Sequence, residues 1–209
     1  MLIFMNSKYI FQIKKDNSIE RVNLEDFEKI FEIKYLPFLK IEDQKLLKKI
    51  DKMCVNAGRN GDLTKENIWF GHFYERELKE HFISDVYVKW INEIKEYGLF
   101  ANKDFKNLSY IGEYTGCVRK YIKKIDDRNP YCFEYSIGYK KTKYTIDARE
   151  EGSVIRFVNH SYEPNVTPIN VYSDGKMHLV FRTNRKVLKD EELTYDYGPF
   201  YWSRRERPE

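Results

Sequence analysis

Arg156-Phe157-Val158-Asn159-His160-Ser161-Tyr162-Glu163-Pro164-Asn165 and, further along, Glu191-Glu192-Leu193-Thr194-Tyr195-Asp196-Tyr197-Gly198 are the stretches whose reading decides this chain. Taken singly, each is a polar loop or a short strand with a turn after it. A lone histidine in a loop is usually structural or solvated. His160 instead stands between Asn159 and Ser161. The Asn159 amide offers both a donor and an acceptor, which suits a ligand carrying an amino and a carboxylate group.

The surrounding composition bounds what such a site can belong to. With 209 residues the chain holds one ample domain, or a compact domain with a smaller companion. Hydrophobic residues at 42% and charged residues at 33% give a globular rather than a disordered profile. The net charge of +4 comes from signs mixed along the chain, with no long basic tract, so no direct nucleic-acid site is expected. Arg204-Arg205-Glu206-Arg207 reads as a solvated tail. Cys54, Cys117 and Cys132 are odd in number and contain no CxxC pair. That argues for a reducing compartment, cytoplasm or nucleus, and against a disulfide framework or a four-cysteine zinc site. The apolar start Met1–Phe4 is broken by Asn6 and Lys8, and no run has the length of a membrane span or a cleavable signal.

Residues 8–22 alternate around Lys15-Asp16-Asn17-Ser18, which predicts a hairpin. Leu24, Phe27, Ile30 and Phe31 recur at helical spacing after Asn23, a suitable N-cap. A second helix is expected from Ile41 to Val55, a loop over Gly58–Asp62, and a third helix, capped by Asp62 or Thr64, running to Phe82. Residues 1–84 therefore read as a small, mostly helical module. From Val86 onward, short β-branched and aromatic runs separated by Gly, Asn and Asp predict a β-rich domain.

From Val86 to Gly198 the chain resembles the SET-domain protein lysine methyltransferases, in motifs that follow the family order. Tyr97-Gly98-Leu99-Phe100-Ala101 resembles the early glycine turn, although Glu96 stands where a further glycine is usual. Ile111-Gly112-Glu113-Tyr114-Thr115-Gly116 resembles a strand-and-turn element. Asn159-His160-Ser161 and Leu193–Gly198 resemble the paired signature segments. The resemblance implies an α+β fold: a β-rich SET domain of short strands over 85–198 with a C-terminal pseudoknot. Residues 199–209 would form an aromatic and basic tail completing the site. It implies S-adenosyl-L-methionine as cofactor, seated by Tyr97, Gly98, Leu99, Arg156, Asn159, His160, Tyr197 and Trp202. Tyr197 is the implied catalytic tyrosine, helped by Tyr195, and Tyr114, Tyr135 and Tyr195 are candidates for the substrate channel. For Tyr114 and Tyr135 a core or sheet-pairing role is equally open. Arg156 either pairs with an acid or lies near the cofactor. Many members carry Cys where this chain has Tyr162, and three further cysteines beyond the domain. Here both halves of that zinc site are missing, so no metal is expected. The tail reads Pro199-Phe200-Tyr201-Trp202 instead, rings suited to covering the site or to packing the last turn.

Aromatic residues suit the implied reaction. A free lysine has a pKa of about 10.4, so its nucleophilic form is scarce. An apolar channel and a neighbouring positive sulfur both disfavour the ammonium, while aromatic faces tolerate what cation remains. Tyr195 leaves little room beside the amine, which favours monomethylation. The implied partner is a protein substrate, a histone tail or another lysine-bearing protein lying extended along a strand edge. The alternative from a different class is a catalytically silent SET-fold interaction module, which the Glu96 departure favours. A third reading, nucleic-acid binding, rests only on the modest positive charge. Residues 1–84 carry no motif; buttressing, homodimerisation and partner selection all stay open. The wealth of Lys, Ile, Asn and Tyr resembles AT-rich genomes, among them those whose SET proteins are secreted effectors acting in a host cell.

Overall fold

A computed structural model describes residues 9–203. The apolar start Met1–Phe4 and the basic run Arg204–Arg207 lie outside the described residues. β1 (Ile10–Lys15) and β2 (Ser18–Asn23) form the expected hairpin around Asp16 and Asn17. Asn23 then caps helix α1 (Leu24–Phe31), its side-chain oxygen accepting from the Asp26 amide at 2.9 Å. The short strands β3 (Lys34–Tyr35) and β4 (Lys40–Ile41) lead to α2 (Gln44–Asn60), capped by Asp43.

Helix boundaries differ from the sequence reading, first at Ile41, which pairs in β4 instead of opening the second helix. The helix α2 runs through Gly58, where a loop is expected, and ends at Gly61 with φ 72°. A helix tolerates an interior glycine at about 1 kcal/mol, whereas its left-handed terminus favours one. The third helix is two: α3 (Lys65–Phe73), begun by a Thr64–Asn67 capping box, and α4 (Glu75–Glu80). The break falls at Tyr74, which is fully buried and donates its hydroxyl to the Leu108 carbonyl at 2.7 Å.

The remaining strands are β5 (Val86–Asn92), β6 (Glu96–Ala101), β7 (Tyr110–Glu113), β8 (Cys117–Lys120), β9 (Cys132–Ile137), β10 (Lys140–Asp147), β11 (Glu151–Gly152), β12 (Asn159–His160), β13 (Val166–Ser173), β14 (Lys176–Thr183) and β15 (Thr194–Tyr195). Helices α5 (Lys123–Asp126) and α6 (Pro199–Trp202) and a 3₁₀ turn over Val154–Phe157 complete the chain. They make small sheets ordered β2-β1-β5-β6, β4-β8-β10-β9 and β13-β14-β7, with the pairs β3–β11 and β12–β15.

Residues 9–84 are stitched into these sheets. β1 runs parallel to β5 with Ile13 opposite Val88, β3 parallel to β11, and β4 parallel to β8. Phe11, Phe27 and Ile50 lie in one apolar cluster with Leu99, Ile111 and Phe181. Burying each such side chain contributes about 1.5–3 kcal/mol, so the helical part and the β-rich part share their stability. Gly71 on α3 meets β13 so closely that a Cβ there would sit 1.8 Å from the Tyr172 carbonyl oxygen. No described helix is long and apolar enough to cross a membrane.

Candidate active site

The two signature stretches meet as the parallel strands β12 and β15, Asn159 opposite Thr194 and His160 opposite Tyr195. Residues 161–165 loop over β15, and Asn165 fastens them. Its side-chain oxygen accepts from the Thr194 amide at 2.9 Å, and its NH2 donates to the Glu192 carbonyl at 2.7 Å and the Glu191 carboxylate at 3.0 Å. Asn165 is 2% exposed, so each of these bonds replaces water that is unavailable there.

Beside this crossing lies a cavity of about 730 Å³. Tyr97, Tyr114, Arg156, Asn159, His160, Tyr195, Tyr197 and Trp202, all singled out in the sequence, line it. The structure does not bring the other candidates to its wall. Tyr135 is 3% exposed in the core, its hydroxyl directed to the Met177 carbonyl at 3.3 Å. It corrects the channel reading of that residue: the sheet-pairing alternative holds, with Tyr135 opposite Tyr144. Leu99 lines a separate pocket of about 220 Å³ with Phe11 and Val86. Gly98 acts from behind the wall. A Cβ there would meet Ile91 Cδ1 at 2.6 Å and Asn159 Nδ2 at 3.2 Å, so glycine lets the Asn159 amide come close.

Asn159 donates through Nδ2 to the Tyr97 carbonyl at 3.1 Å and to the Glu192 carboxylate at 3.0 Å, which ties β12 to β6. The Tyr197 amide donates to His160 Nδ1 at 3.2 Å, and the Tyr197 hydroxyl donates to the Val158 carbonyl at 3.2 Å. Nδ1 as acceptor places the imidazole proton on Nε2. Burial pushes the His160 pKa down, which agrees with a neutral ring, although Asp196 opposes it from 3.7 Å. His160 is thus a positioning and binding group. Its Nε2 and the Trp202 Nε1 are buried without a hydrogen-bond partner among the described residues.

Rings enclose the site. The Tyr197 ring lies 4.6 Å from Tyr195, 4.5 Å from Tyr201 and 5.9 Å from Trp202, and Trp202 lies 4.8 Å from His160. The tail segment thus reaches the cavity through Tyr201 and Trp202. Tyr162, standing where many SET proteins have a cysteine, meets the edge of His160 at 4.5 Å. Burial raises the phenol pKa of both Tyr114 and Tyr195 well above its ordinary value, so both present neutral walls. Tyr114 donates to the Tyr131 carbonyl at 2.8 Å.

Among the described residues, Arg156 has no carboxylate in hydrogen-bond contact. It donates to the Ala148 carbonyl at 2.9 Å and the Arg149 carbonyl at 3.2 Å, and its guanidinium stacks 3.9 Å from the Tyr131 ring. Burial lowers its pKa, with Tyr131, Tyr114, Glu150 and Glu96 opposing. Tyr131, Phe157 and Lys95 also line the cavity and were not singled out in the sequence. Tyr131 sits in no motif; only its place among the aromatic residues of the middle of the chain marks it.

Asp126, Cys132 and Asp147, none of them lining this cavity, bring three potential metal ligands together. A cation already serves them: Arg119 donates to Asp126 and to Asp147 at 2.6 Å each. That geometry is a buried ion-pair network.

Residues 96–198 match the family model described as SET domain. The chain is 37% identical over 112 residues to the histone-lysine N-methyltransferase, H3 lysine-36 specific, of Debaryomyces hansenii, covering 51% of this chain and 15% of that protein. It is 33% identical over 104 residues to histone-lysine N-methyltransferase 2B of Homo sapiens, covering 48% of this chain and 4% of that protein. A crystal structure of an active polycomb repressive complex 2 in the basal state superposes with a TM-score of 0.52 at 24% identity, over 59% of this chain and 16% of that one. That likeness is one of fold. The chain spans less than a sixth of the length of each of these proteins. The β12–β15 crossing and most of the cavity wall fall within the segment that the family model matches, and residues 96–198 are a SET domain.

Proposed function

We propose that this protein is an S-adenosylmethionine-dependent protein lysine N-methyltransferase. Its substrate is a histone or another basic protein, and a single methyl group per lysine is the favoured product. One observation carries the reading: Asn159, His160, Tyr195 and Tyr197 converge on one ring-lined cavity of about 730 Å³. The relatives named above, which are histone-lysine N-methyltransferases, support the reaction class.

The residues present fit the cofactor. The cavity volume falls in the usual range for a small-molecule site, about 300–1,000 Å³. The Arg156 guanidinium, held by backbone carbonyls alone, suits the carboxylate of an amino-acid group. His160 Nε2 and Trp202 Nε1 are buried polar atoms of the kind a heterocycle satisfies. When bound, S-adenosylmethionine supplies an electrophilic methyl carbon: a nitrogen–carbon bond forms as the carbon–sulfur bond breaks, and sulfur keeps the electron pair as a neutral thioether.

The chain supplies position and medium. The Tyr114, Tyr195 and Tyr197 rings exclude water and confine the lysine stem, and their apolar surroundings favour the uncharged amine. The lysine proton leaves to solvent before the amine is enclosed. The Tyr197 hydroxyl is fixed by its donation to the Val158 carbonyl. Its oxygen is of the kind that accepts weak C–H contacts, which would align the reacting atoms. The Tyr195 hydroxyl fills space next to the amine, which supports the monomethyl preference.

The test is incubation with methyl-labelled cofactor and either core histones or nuclear extract, followed by mass spectrometry of the labelled lysine. Cofactor binding by calorimetry without transfer to any protein identifies a silent interaction module instead. Trimethyl-lysine as the main early product refutes the monomethyl preference.

A further inference from the structure

Glu96 adopts φ 54°, in the left-handed region that side chains avoid. It shares that backbone with Asp16 and Asp174 in hairpin turns, Leu108 and Asp190 in other turns, and Glu32 and His81 at helix ends. Glu96 closes the turn between β5 and β6, which Asn92 fixes by accepting from the amides of Ile94 and Lys95 at 3.0 and 2.9 Å. Such a turn calls for a left-handed residue, and glycine fills that place without cost. A glutamate there brings strain and a carboxylate.

Glu96 is exposed, and its charge acts on the Arg156 guanidinium, opposing the lowering of that group's pKa. Glu96 makes no hydrogen bond or ion pair among the described residues, and the adjacent Lys95 is drawn to Glu192 at 3.4 Å. Glu96 is nevertheless among the residues that line the cavity, with Arg156 and His160. An anion with no hydrogen-bonded partner among the described residues, at the edge of a ligand-sized cavity, acts through its field on what the cavity holds.

We propose that Glu96 makes the cavity selective for charge, favouring a cationic occupant over a neutral one of the same shape. Resting on the methyl-transfer reading, this means that the sulfonium donor is held in preference to the thioether left after transfer, which is then released more readily. The step requires no new bond; the lost sulfur charge alone changes the attraction.

Titration calorimetry tests it with two inert probes. S-adenosylhomocysteine is neutral at the position of sulfur, and sinefungin carries an amine cation beside it. Each is titrated into the wild type, Glu96→Gln and Glu96→Gly. Gln keeps the shape and the strained backbone without the charge, and Gly relieves the backbone as well. The expected result is that the preference for the cation over the neutral probe falls roughly fivefold in both variants. Added salt should shrink the preference in the wild type and leave the variants unmoved. A ratio unchanged within twofold in Glu96→Gln, with both probes still binding, overturns the proposal alone. Failure of both probes to bind the wild type overturns the methyl-transfer reading, and this proposal with it.

Discussion

Replacing Asn165 with alanine should cost more than its position in a loop suggests. Alanine leaves the Thr194 amide and the Glu192 carbonyl, which the Asn165 side chain meets at 2.9 and 2.7 Å, without partners. Thr194 is 7% exposed, so water does not readily replace the lost acceptor. Each buried group left unsatisfied costs about 1–3 kcal/mol, giving about 2–4 kcal/mol together after partial relaxation. For a chain of this size that corresponds to a fall of about 6–12 °C in Tm. The same bonds hold β12 against β15, so cofactor affinity by calorimetry should fall with them. Asn165→Asp separates the two roles of the amide. It keeps an acceptor for Thr194 but sets a carboxylate where an NH2 donated to Glu191 at 3.0 Å. It should therefore be at least as harmful at pH 8 and milder in acid. A Tm within about 2 °C of wild type for Asn165→Ala, with binding intact, would refute the view that this side chain fastens the crossing.

The other expectations concern separate parts of the molecule. Tyr197→Phe removes the hydroxyl held by Val158 and should slow transfer about a hundredfold in single-turnover assays, with cofactor Kd changed by less than about threefold. Tyr195→Phe should move the product toward dimethyl-lysine, read by mass spectrometry of a peptide. His178 contacts Glu113 at 2.7 Å and the Ser173 carbonyl at 3.2 Å. Burial pushes its pKa down, but the charge and hydrogen bond of Glu113 outweigh this, so it is raised, with Lys176 opposing. Its contribution is therefore complete below the unfolded histidine value of about 6.5 and is lost as pH rises through the folded pKa. Urea denaturation should show His178→Gln destabilised more at pH 6 than at pH 9. Gly71→Ala forces a methyl group against the Tyr172 carbonyl and should cost about 1–3 kcal/mol or displace α3, measured by the same titration.

Much of this site is legible in the sequence because it is built from contiguous motifs. Asn159, His160, Tyr195 and Tyr197 lie within short segments whose residue types have little other reason to occur together. The residues that were missed act across the fold. Tyr131 matters because the Arg156 guanidinium stacks on it, and that contact joins residues with no sequence relation. Tyr135 misleads for the converse reason. Strand alternation near an aromatic-rich channel does not reveal which face a ring takes, and here it takes the core face. Helix ends show the same limit: Gly58 and Gly61 are identical letters, and only the second adopts the left-handed backbone that ends α2. The pairing of β1 with β5 joins segments far apart in the chain, and periodicity carries no information about which strands become neighbours.

The β12–β15 ladder has a consequence for how the protein comes into being. Its partners, Asn159 with Thr194 and His160 with Tyr195, straddle the whole β13–β14 hairpin. During synthesis the earlier segments emerge first and can collapse, yet the tyrosine-bearing strand must still slip beneath a bend already made. A nascent polypeptide halted ahead of Thr194 holds the other described strands but no β12–β15 ladder. The crossing thus forms only once the segment bearing Tyr195 and Tyr197 has emerged, and a product cut short before it lacks those two walls of the cavity.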